Sequence, residues 1–254
     1  MKAIVLTSNS LRHRYFASAA ALEFDVVGVV SEPKKGYYEK QLSQSMLIRE
    51  HFKKLRSTEE AFFNGADFPD TEVWSLEKSR INDHDVISWA VSKKPDVVLL
   101  FGTAILKKEW LAAFKDRIIN LHLGLSPFYR GSATLFWPIH NNELECIGAT
   151  VHLATNRVDA GCIIGRIKPN LQVGDDYYAI NFKAIKQAID KVPSLAKKYC
   201  RAETILVTQD LDLSKLYRKA DFDEEALIQA LNHLKNGITQ EKLDQISKSS
   251  KCVC

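Results

Sequence analysis

The stretch from Lys2 to Val30 reads KAIVLTSNSLRHRYFASAAALEFDVVGVV and holds two short apolar runs. The runs 2–7 and 25–30 have the length and composition of buried strands. Between them, apolar residues recur at spacings of four, four and three, as they do on one face of a helix. These residues are Leu11, Tyr15, Ala19 and Leu22. A strand, helix and strand in this order predict a parallel sheet covered by helices.

The same alternation continues through the first 170 or so residues, because further strand-like runs are separated by helix-length segments. These runs are 71–74, 95–101, 118–122, 146–153 and 162–168. A long helix is predicted to begin near Asp175 or Asp176, whose carboxylates suit a helix N-terminus. Its apolar stripe predicts a face docked on the body, and Pro193 is expected to kink or end it. The stripe is Tyr178, Phe182, Ile185, Ile189 and Val192.

The predicted fold class is therefore α/β, with a doubly wound, mostly parallel sheet and a small helical C-terminal appendage. We place the main domain at residues 1–200 and the appendage at 201–254, with one polar helix running to about residue 247. Residues 32–64 are longer than a simple crossover needs. We interpret them as a solvated helix and loop in preference to a flap over a substrate.

The composition excludes a disordered or fibrous chain, since 46% of the 254 residues are hydrophobic and 26% are charged. The formal net charge of +4 predicts no nucleic-acid partner. The chain begins without a secretory signal pattern, and no apolar run approaches the roughly 20 residues of a membrane span, so no membrane partner is expected. A cytoplasmic protein is predicted, with a homodimer as a possible assembly.

The five cysteines are odd in number and scattered, so no disulfide framework is predicted. The C-terminal Lys251-Cys252-Val253-Cys254 is interpreted as a frayed end with free thiols. The histidines show no spacing typical of metal ligands, and no metal is expected.

The segment 118–131, IINLHLGLSPFYRG, places an amide and an imidazole on one surface. Asn120 and His122 are two residues apart in a strand, so both project from the same face. A loop rich in Gly, Ser and Pro follows, which puts them near the carboxyl end of a strand, where open α/β sheets bind ligands. The amide can donate to an oxyanion and the imidazole can exchange a proton, a combination suited to acyl-group chemistry.

A carboxylate in a later turn completes a candidate site. Asp159 lies between two strand-like runs, from where it can hold the imidazole in its charged form or accept a proton through water. An aspartate in a turn also bonds its own backbone routinely, so this sequence position alone leaves both interpretations open.

These residues together resemble the folate-dependent formyltransferases. The resemblance rests on 119–122, on Pro127 and Arg130-Gly131 in the loop, and on 158–164, and it covers roughly residues 1–195. The family loop reads His, any residue, Ser, Leu, Leu, Pro, whereas here Leu123-Gly124-Leu125-Ser126-Pro127 follows His122. The displaced serine puts the shape of the loop in question.

The resemblance implies transfer of the formyl group of N10-formyltetrahydrofolate to an amine. Asn120 would steady the oxyanion, His122 would polarise the carbonyl or relay a proton, and Asp159 would tune His122. The folate would lie between the loop after the fourth strand and the turn that carries the aspartate. The residues implied for it are Phe101, Gly102, Thr103, Ile105, Leu106, Asn156 and Val158.

The substrate amine is expected to belong to an amino sugar linked to a nucleotide. Ser10 is a plausible N-cap, and a helix N-terminus with Arg12 and His13 suits a phosphate. The glycine-rich phosphate loop of the purine-pathway transformylase is absent, and 129–131 with 136–138 look most like the sugar N-formyltransferases. The residues expected to contact substrate are Ser10, Arg12, His13, Tyr129, Arg130 and Gly131.

Three alternatives remain open from the sequence. They are a methionyl-tRNA formyltransferase, a formyltetrahydrofolate hydrolase with water as acceptor, and a non-catalytic module that binds folate or a nucleotide sugar.

Overall fold

The computed structural model describes residues 1–33, 45–77, 79–249 and 252. The strands are β1 (Lys2–Thr7), β2 (Asp25–Ser31), β3 (Val73–Ser75), β4 (Val97–Leu100), β5 (Ile118–His122), β6 (Tyr129–Gly131), β7 (Ala149–Leu153), β8 (Ile163–Ile167) and β9 (Lys215–Tyr217). The α-helices are α1 (Leu11–Ala21), α2 (Met46–Phe63), α3 (His84–Ser92), α4 (Lys108–Ala113), α5 (Phe136–His140), α6 (Tyr177–Cys200), α7 (Glu224–His233) and α8 (Gln240–Lys248).

The main sheet of the described residues has seven strands in the order β3-β2-β1-β4-β5-β7-β8. The five strands from β3 to β5 are parallel, and β7 and β8 are antiparallel to their neighbours. Alternate residues of β1 enter two different apolar cores, Ala3 and Val5 on one face and Ile4 and Leu6 on the other. Helices therefore cover both faces, which confirms the predicted doubly wound, mostly parallel α/β fold. The carboxyl ends of β4 and β5 lie side by side at one edge of this sheet.

Helix α1 packs three residues of its predicted stripe on the apolar core, Leu11, Tyr15 and Ala19, but not Leu22. Phe16, Ala17 and Ala20 are buried against the sheet, whereas Leu22 is 84% exposed. Leu22 lies just beyond the last helical residue, so the spacing that included it extended the apolar stripe past the helix end.

Helix α6 buries its predicted stripe, and Asp176 caps it by accepting hydrogen bonds from the amides of Tyr178 and Ala179. The expected end at Pro193 is wrong, because the helix continues to Cys200. Pro193 removes one backbone donor, but Val192, Pro193 and Ala196 are all buried. Burial of this apolar face stabilises the helix enough to offset one lost hydrogen bond.

The segment after residue 200 contains several short elements instead of one polar helix. Strand β9 pairs with β6 in a separate two-stranded sheet, and α7 and α8 follow with a turn between them. Gly237, at a positive φ of 66°, lies in that turn and separates the two helices. Tyr217, Phe222 and Leu227 of this segment enter the same apolar core as β1.

The prediction of free thiols at the C-terminus is wrong for Cys252, which forms a disulfide with Cys146. The two cysteines are 106 positions apart, a separation at which sequence spacing carries no information about pairing. Lys251, Val253 and Cys254 lie outside the described residues.

The predicted elaboration at residues 32–64 contains α2, whose residues Ile48, His51 and Phe63 are buried. Residues 34–44 lie outside the described part, so their interpretation as a solvated loop in preference to a flap over a substrate stays a prediction. None of the helices that the structure describes combines the length and the apolar character that a membrane span needs.

Candidate active site

Strands β5 and β7 place two polar side chains directly opposite each other. Asn120 and His152 are register partners in this antiparallel pair, so their side chains share one face of the sheet. The Asn120 Nδ2 atom lies 3.0 Å from His152 Nε2. His122 lies two residues further along β5 on the same face.

The turn between β7 and β8 brings Asp159 to these side chains. The backbone of Asp159 has a positive φ of 49°, and its side chain is 12% exposed. One carboxylate oxygen lies 3.3 Å from His122 Nδ1 and the other lies 3.6 Å from His152 Nε2. The structure therefore brings the three predicted catalytic residues together and adds a second imidazole.

His122 lies behind the carboxylate, away from open solvent. Its ring is 6% exposed, and its Nε2 atom lies 2.8 Å from the carbonyl oxygen of Tyr129. Both ring nitrogens thus face acceptors, and only a ring protonated on both nitrogens can donate to both. Burial lowers the pKa of His122, while the Asp159 carboxylate and the Tyr129 carbonyl act in the opposite direction.

His152 was missed by the sequence reasoning, which considered it only among the histidines that lack the spacing of metal ligands. Its Nδ1 atom lies 2.8 Å from the carbonyl oxygen of Leu153, which can only accept. In the neutral ring Nδ1 therefore carries the proton, and Nε2 accepts from the amide of Asn120. The signal in the sequence was a histidine inside an otherwise apolar strand run, 149–153.

The Asp159 carboxylate is ionised across the physiological pH range. Its burial raises the pKa, but His122, His152 and a hydrogen bond from the Gly131 amide outweigh that effect and lower it to about 2. A fixed negative charge therefore lies between two imidazoles.

A cavity of about 130 Å³ opens beside these groups. Asn120, His152 and Asp159 line one side of it. The other walls come from the loop after β4 and from the turn before Asp159, and they include Gly102, Thr103, Ile105, Leu106 and Val158, for which the family resemblance implies folate contact.

Two residues predicted to contact the folate point elsewhere. The Phe101 ring is buried, with its centroid 4.8 Å from that of His13 and 5.3 Å from that of Phe16. It therefore packs under α1 and does not line the cavity. Asn156 is exposed in the turn and lies outside the cavity lining.

At the start of α1, the side chains predicted to bind a phosphate are buried or already have protein partners. Ser10 stands at the N-cap position but does not cap with its side chain, which bonds His13 Nδ1 at 2.5 Å. His13 is fully buried, and Arg12 forms an ion pair with Glu59 at 2.6 Å. The positive charge of Arg12 at the start of the helix is therefore already paired with the Glu59 carboxylate.

The three loop residues predicted to contact substrate have protein partners. Tyr129 is buried, and its hydroxyl donates to Glu143. Arg130 donates to the backbone carbonyl of Val158, and the amide of Gly131 donates to the Asp159 carboxylate at 3.1 Å. All three therefore contact the surroundings of Asp159.

Gly124, which stands at the position of the family's loop serine, allows the observed orientation of His122. A Cβ atom at residue 124 would lie 2.6 Å from His122 Nε2 and 2.6 Å from the carbonyl oxygen of Tyr129. Real Cβ contacts are longer, so a side chain here would separate these two groups.

We expect Gly124→Ala to lower the free energy of unfolding by about 1–3 kcal/mol, the usual effect of overpacking. The His122 ring resonances should shift with it in NMR spectra. Ser126→Ala is the matched control, because the Ser126 hydroxyl is buried without a hydrogen-bond partner and its loss should cost little. Equal stability of the two variants would contradict this account of Gly124.

Among residues 1–33, 45–77 and 79–249, no group of three or more His, Cys, Asp or Glu side chains is arranged to hold a metal ion.

Comparison with known proteins identifies the family. The formyl transferase family model matches residues 1–193. The chain is 36% identical over 84 residues to the methionyl-tRNA formyltransferase of Chlorobium chlorochromatii (strain CaD3), a match that covers 33% of this chain and 26% of that protein. It is 30% identical over 134 residues to the bifunctional polymyxin resistance protein ArnA of Wigglesworthia glossinidia brevipalpis, covering 52% of this chain and 18% of that protein. Each match thus spans a minor part of the relative.

Solved structures share the fold at low sequence identity. A sugar N-formyltransferase from Shewanella sp FDAARGOS_354 has a TM-score of 0.59 at 15% identity, covering 92% of this chain and 88% of that one. The phosphoribosylglycinamide formyltransferase of Anaplasma phagocytophilum has a TM-score of 0.57 at 17% identity, covering 86% and 98%. The formyltransferase PseJ of Anoxybacillus kamchatkensis, solved with UDP-4,6-dideoxy-4-formamido-L-AltNAc and tetrahydrofolate, has a TM-score of 0.51 at 16% identity, covering 87% of each chain. With three quarters of its length matched by the family model and its polar groups gathered at the carboxyl end of β5, the chain belongs to the formyl transferase family.

Proposed function

We propose that the protein transfers a formyl group from N10-formyltetrahydrofolate to the amine of an amino sugar linked to a nucleotide. The observation that carries the proposal is the convergence of Asn120, His122 and Asp159 beside a cavity with apolar walls. An acyl transfer needs a donor for the oxyanion and an acceptor for the amine proton, and this cavity offers both.

The cavity walls fit a flat, partly polar ring. Gly102, Ile105 and Leu106 provide apolar contact and open backbone on one side, and Val158 provides apolar contact on the other. Gly102 has a positive φ of 75°, so a side chain at this wall would be strained. The formyl folate supplies the activated one-carbon unit when it is bound.

Asn120 is suited to stabilise the oxyanion that develops during the transfer. Its Nδ2 atom carries two hydrogens, and the bond to His152 uses one of them. The second remains for the formyl oxygen. His152 thereby fixes the orientation of the amide, because its own Nδ1 proton is held by the Leu153 carbonyl.

Asp159 is suited to take the proton of the attacking amine, directly or through a water molecule. Its carboxylate is ionised, and His122 lies behind it, with Nδ1 3.3 Å from one carboxylate oxygen. As the new nitrogen–carbon bond forms and the bond from the formyl carbon to the folate N10 breaks, that proton passes on to the departing N10. Atoms and charge balance without another reactant.

An amino sugar is favoured as acceptor by two considerations. The turn after β1 reads Ser8-Asn9-Ser10 and lacks the glycine-rich pattern implied for a ribonucleotide phosphate. Residues 129–131 and 136–138 resemble the sugar N-formyltransferases. The Shewanella enzyme and the Anoxybacillus formyltransferase PseJ share the fold of this chain. The identity to a methionyl-tRNA formyltransferase keeps that tRNA as the second candidate acceptor.

The test measures tetrahydrofolate release from N10-formyltetrahydrofolate with a panel of nucleotide-linked amino sugars. We expect release that depends on one of these sugars and a stoichiometric formamide product by mass spectrometry. Equal release without any amine would instead indicate a hydrolase, and formylation of methionyl-tRNA alone would overturn the sugar assignment. Folate binding without turnover under every condition would indicate a binding module.

A further inference from the structure

Strand β6 holds the Asp159 turn at two consecutive points. The amide of Gly131 donates to the Asp159 carboxylate at 3.1 Å. The guanidinium of Arg130 donates twice to the carbonyl oxygen of Val158, at 3.1 and 2.5 Å. The peptide group before Asp159 and its side chain are therefore both fixed by the same strand.

Strand β6 is fixed in turn by the segment after residue 200. It pairs in parallel with β9, and the amide of Ser132 donates to the carbonyl oxygen of Tyr217 at 2.9 Å. The third guanidinium nitrogen of Arg130 donates to Ser214 Oγ at 3.1 Å. Arg130, which is 9% exposed, thus links the C-terminal segment to the turn that carries Asp159.

Tyr217 stabilises the pairing of β6 with β9 by stacking on two aromatic rings. Its ring stacks on Tyr129 at 5.7 Å and on Trp137 at 4.5 Å, with interplanar angles of 6° and 13°. The side-chain amide of Asn141 donates to the hydroxyls of both tyrosines. Gly131 has a φ of 95°, and a Cβ there would lie 2.2 Å from the Tyr217 carbonyl oxygen, so only glycine permits this approach.

The Asp159 backbone needs such support, because a non-glycine residue at a φ of 49° lies in a sparsely populated region. Conformations of this kind persist where the surrounding structure determines them. The contacts from Arg130 and Gly131 hold the peptide group before this residue and its side chain.

We propose that Arg130, held by Ser214 and β9, is a positioning residue that aims the Asp159 carboxylate at His122 and His152. This assigns Arg130 a role other than substrate contact and makes residues 211–217 part of the machinery of the site. The catalytic consequence rests on the proposed function, whereas the geometric claim concerns Asp159 alone.

The test is Arg130→Lys, which keeps the positive charge but cannot donate to Val158 and Ser214 at once. The Asp159 pKa, followed by ¹³C NMR of the carboxyl carbon, should rise from about 2 toward the ordinary value for aspartate of about 4, because the contacts that lower it are loosened. Formyl transfer should fall about tenfold or more in kcat, with the KM for the folate nearly unchanged.

Ser214→Ala serves as a second variant, since it removes one partner of the guanidinium and should move both readouts less, in the same direction. Arg117→Lys is the matched control, because Arg117 donates to the carbonyl oxygens of Pro95 and Ala113 at the opposite end of β5. It should leave the pKa of Asp159 and the turnover unchanged.

An unchanged Asp159 pKa in both Arg130→Lys and Ser214→Ala would overturn the proposal, even if their melting temperatures fell. The NMR readout needs no formyl transfer. A wild-type protein with a low Asp159 pKa and no transfer activity would therefore count against the proposed function and leave the positioning role standing.

Discussion

Asp159→Asn is expected to lower the turnover of formyl transfer by about a hundredfold or more, while the protein stays folded. The substitution keeps the size of the side chain but removes the charge that faces His122 at 3.3 Å and His152 at 3.6 Å. It also removes the acceptor proposed for the amine proton. Steady-state kinetics with the best acceptor of the sugar panel would measure the loss.

The same variant should change how stability depends on pH. The pKa of Asp159 is lowered from 3.8 to about 2, so its ionised form stabilises the folded protein at any pH above the unfolded value. That contribution, about 2 kcal/mol, is lost as the pH falls from about 4 through about 2. The difference in unfolding free energy between wild type and variant should therefore shrink over this window in denaturant titrations.

Asp175→Asn is the matched control for both measurements. Asp175 is also a buried aspartate and forms an ion pair with Lys183 at 2.7 Å, but it lies at the turn before α6. Its substitution should reduce stability without changing turnover. A fully active Asp159→Asn variant would remove the carboxylate from the proposed mechanism.

The sequence predicted the parts of the fold whose signals are local. Strands β1 and β5 have the predicted ends, 2–7 and 118–122, because each is a short, mostly apolar run with the length of a buried strand. Placing Asn120 and His122 on one face followed from the period of a strand alone. Their meeting with Asp159 is a matter of tertiary structure, because it depends on the turn between β7 and β8.

The structural features that the sequence did not predict depend on contacts between distant segments. Strand β9 has three residues and exposes Leu216, so neither length nor periodicity marks it. Arg130 donates to a backbone carbonyl 28 positions away. Every residue has such a carbonyl, so the amino-acid types do not indicate which one Arg130 contacts. The Cys146–Cys252 disulfide likewise joins positions that are 106 residues apart.

His152 was not predicted as a site residue for a different reason. A histidine in a buried strand is commonly a satisfied core residue, and this one is indeed almost fully buried. The role proposed for it follows from two hydrogen bonds, to the Leu153 carbonyl at one nitrogen and from the Asn120 amide at the other. The site is therefore a chain of hydrogen bonds in which each group fixes the direction of the next.

Asn120 is the residue of this hydrogen-bond network that is proposed to contact the reacting oxygen. Asn120→Ala should therefore lower kcat by about 100- to 1,000-fold, the usual effect of removing an oxyanion donor. The KM for the folate should change little, since the amide interacts most strongly with the oxyanion and not with the ground-state carbonyl. Asn120→Asp separates size from function, because it keeps the shape but replaces the donor with a carboxylate. That second negative charge beside Asp159 would repel the oxyanion, so Asn120→Asp should be no more active than Asn120→Ala. Recovery of turnover in Asn120→Asp would show that the amide acts by filling space, and that the oxyanion is stabilised by another group.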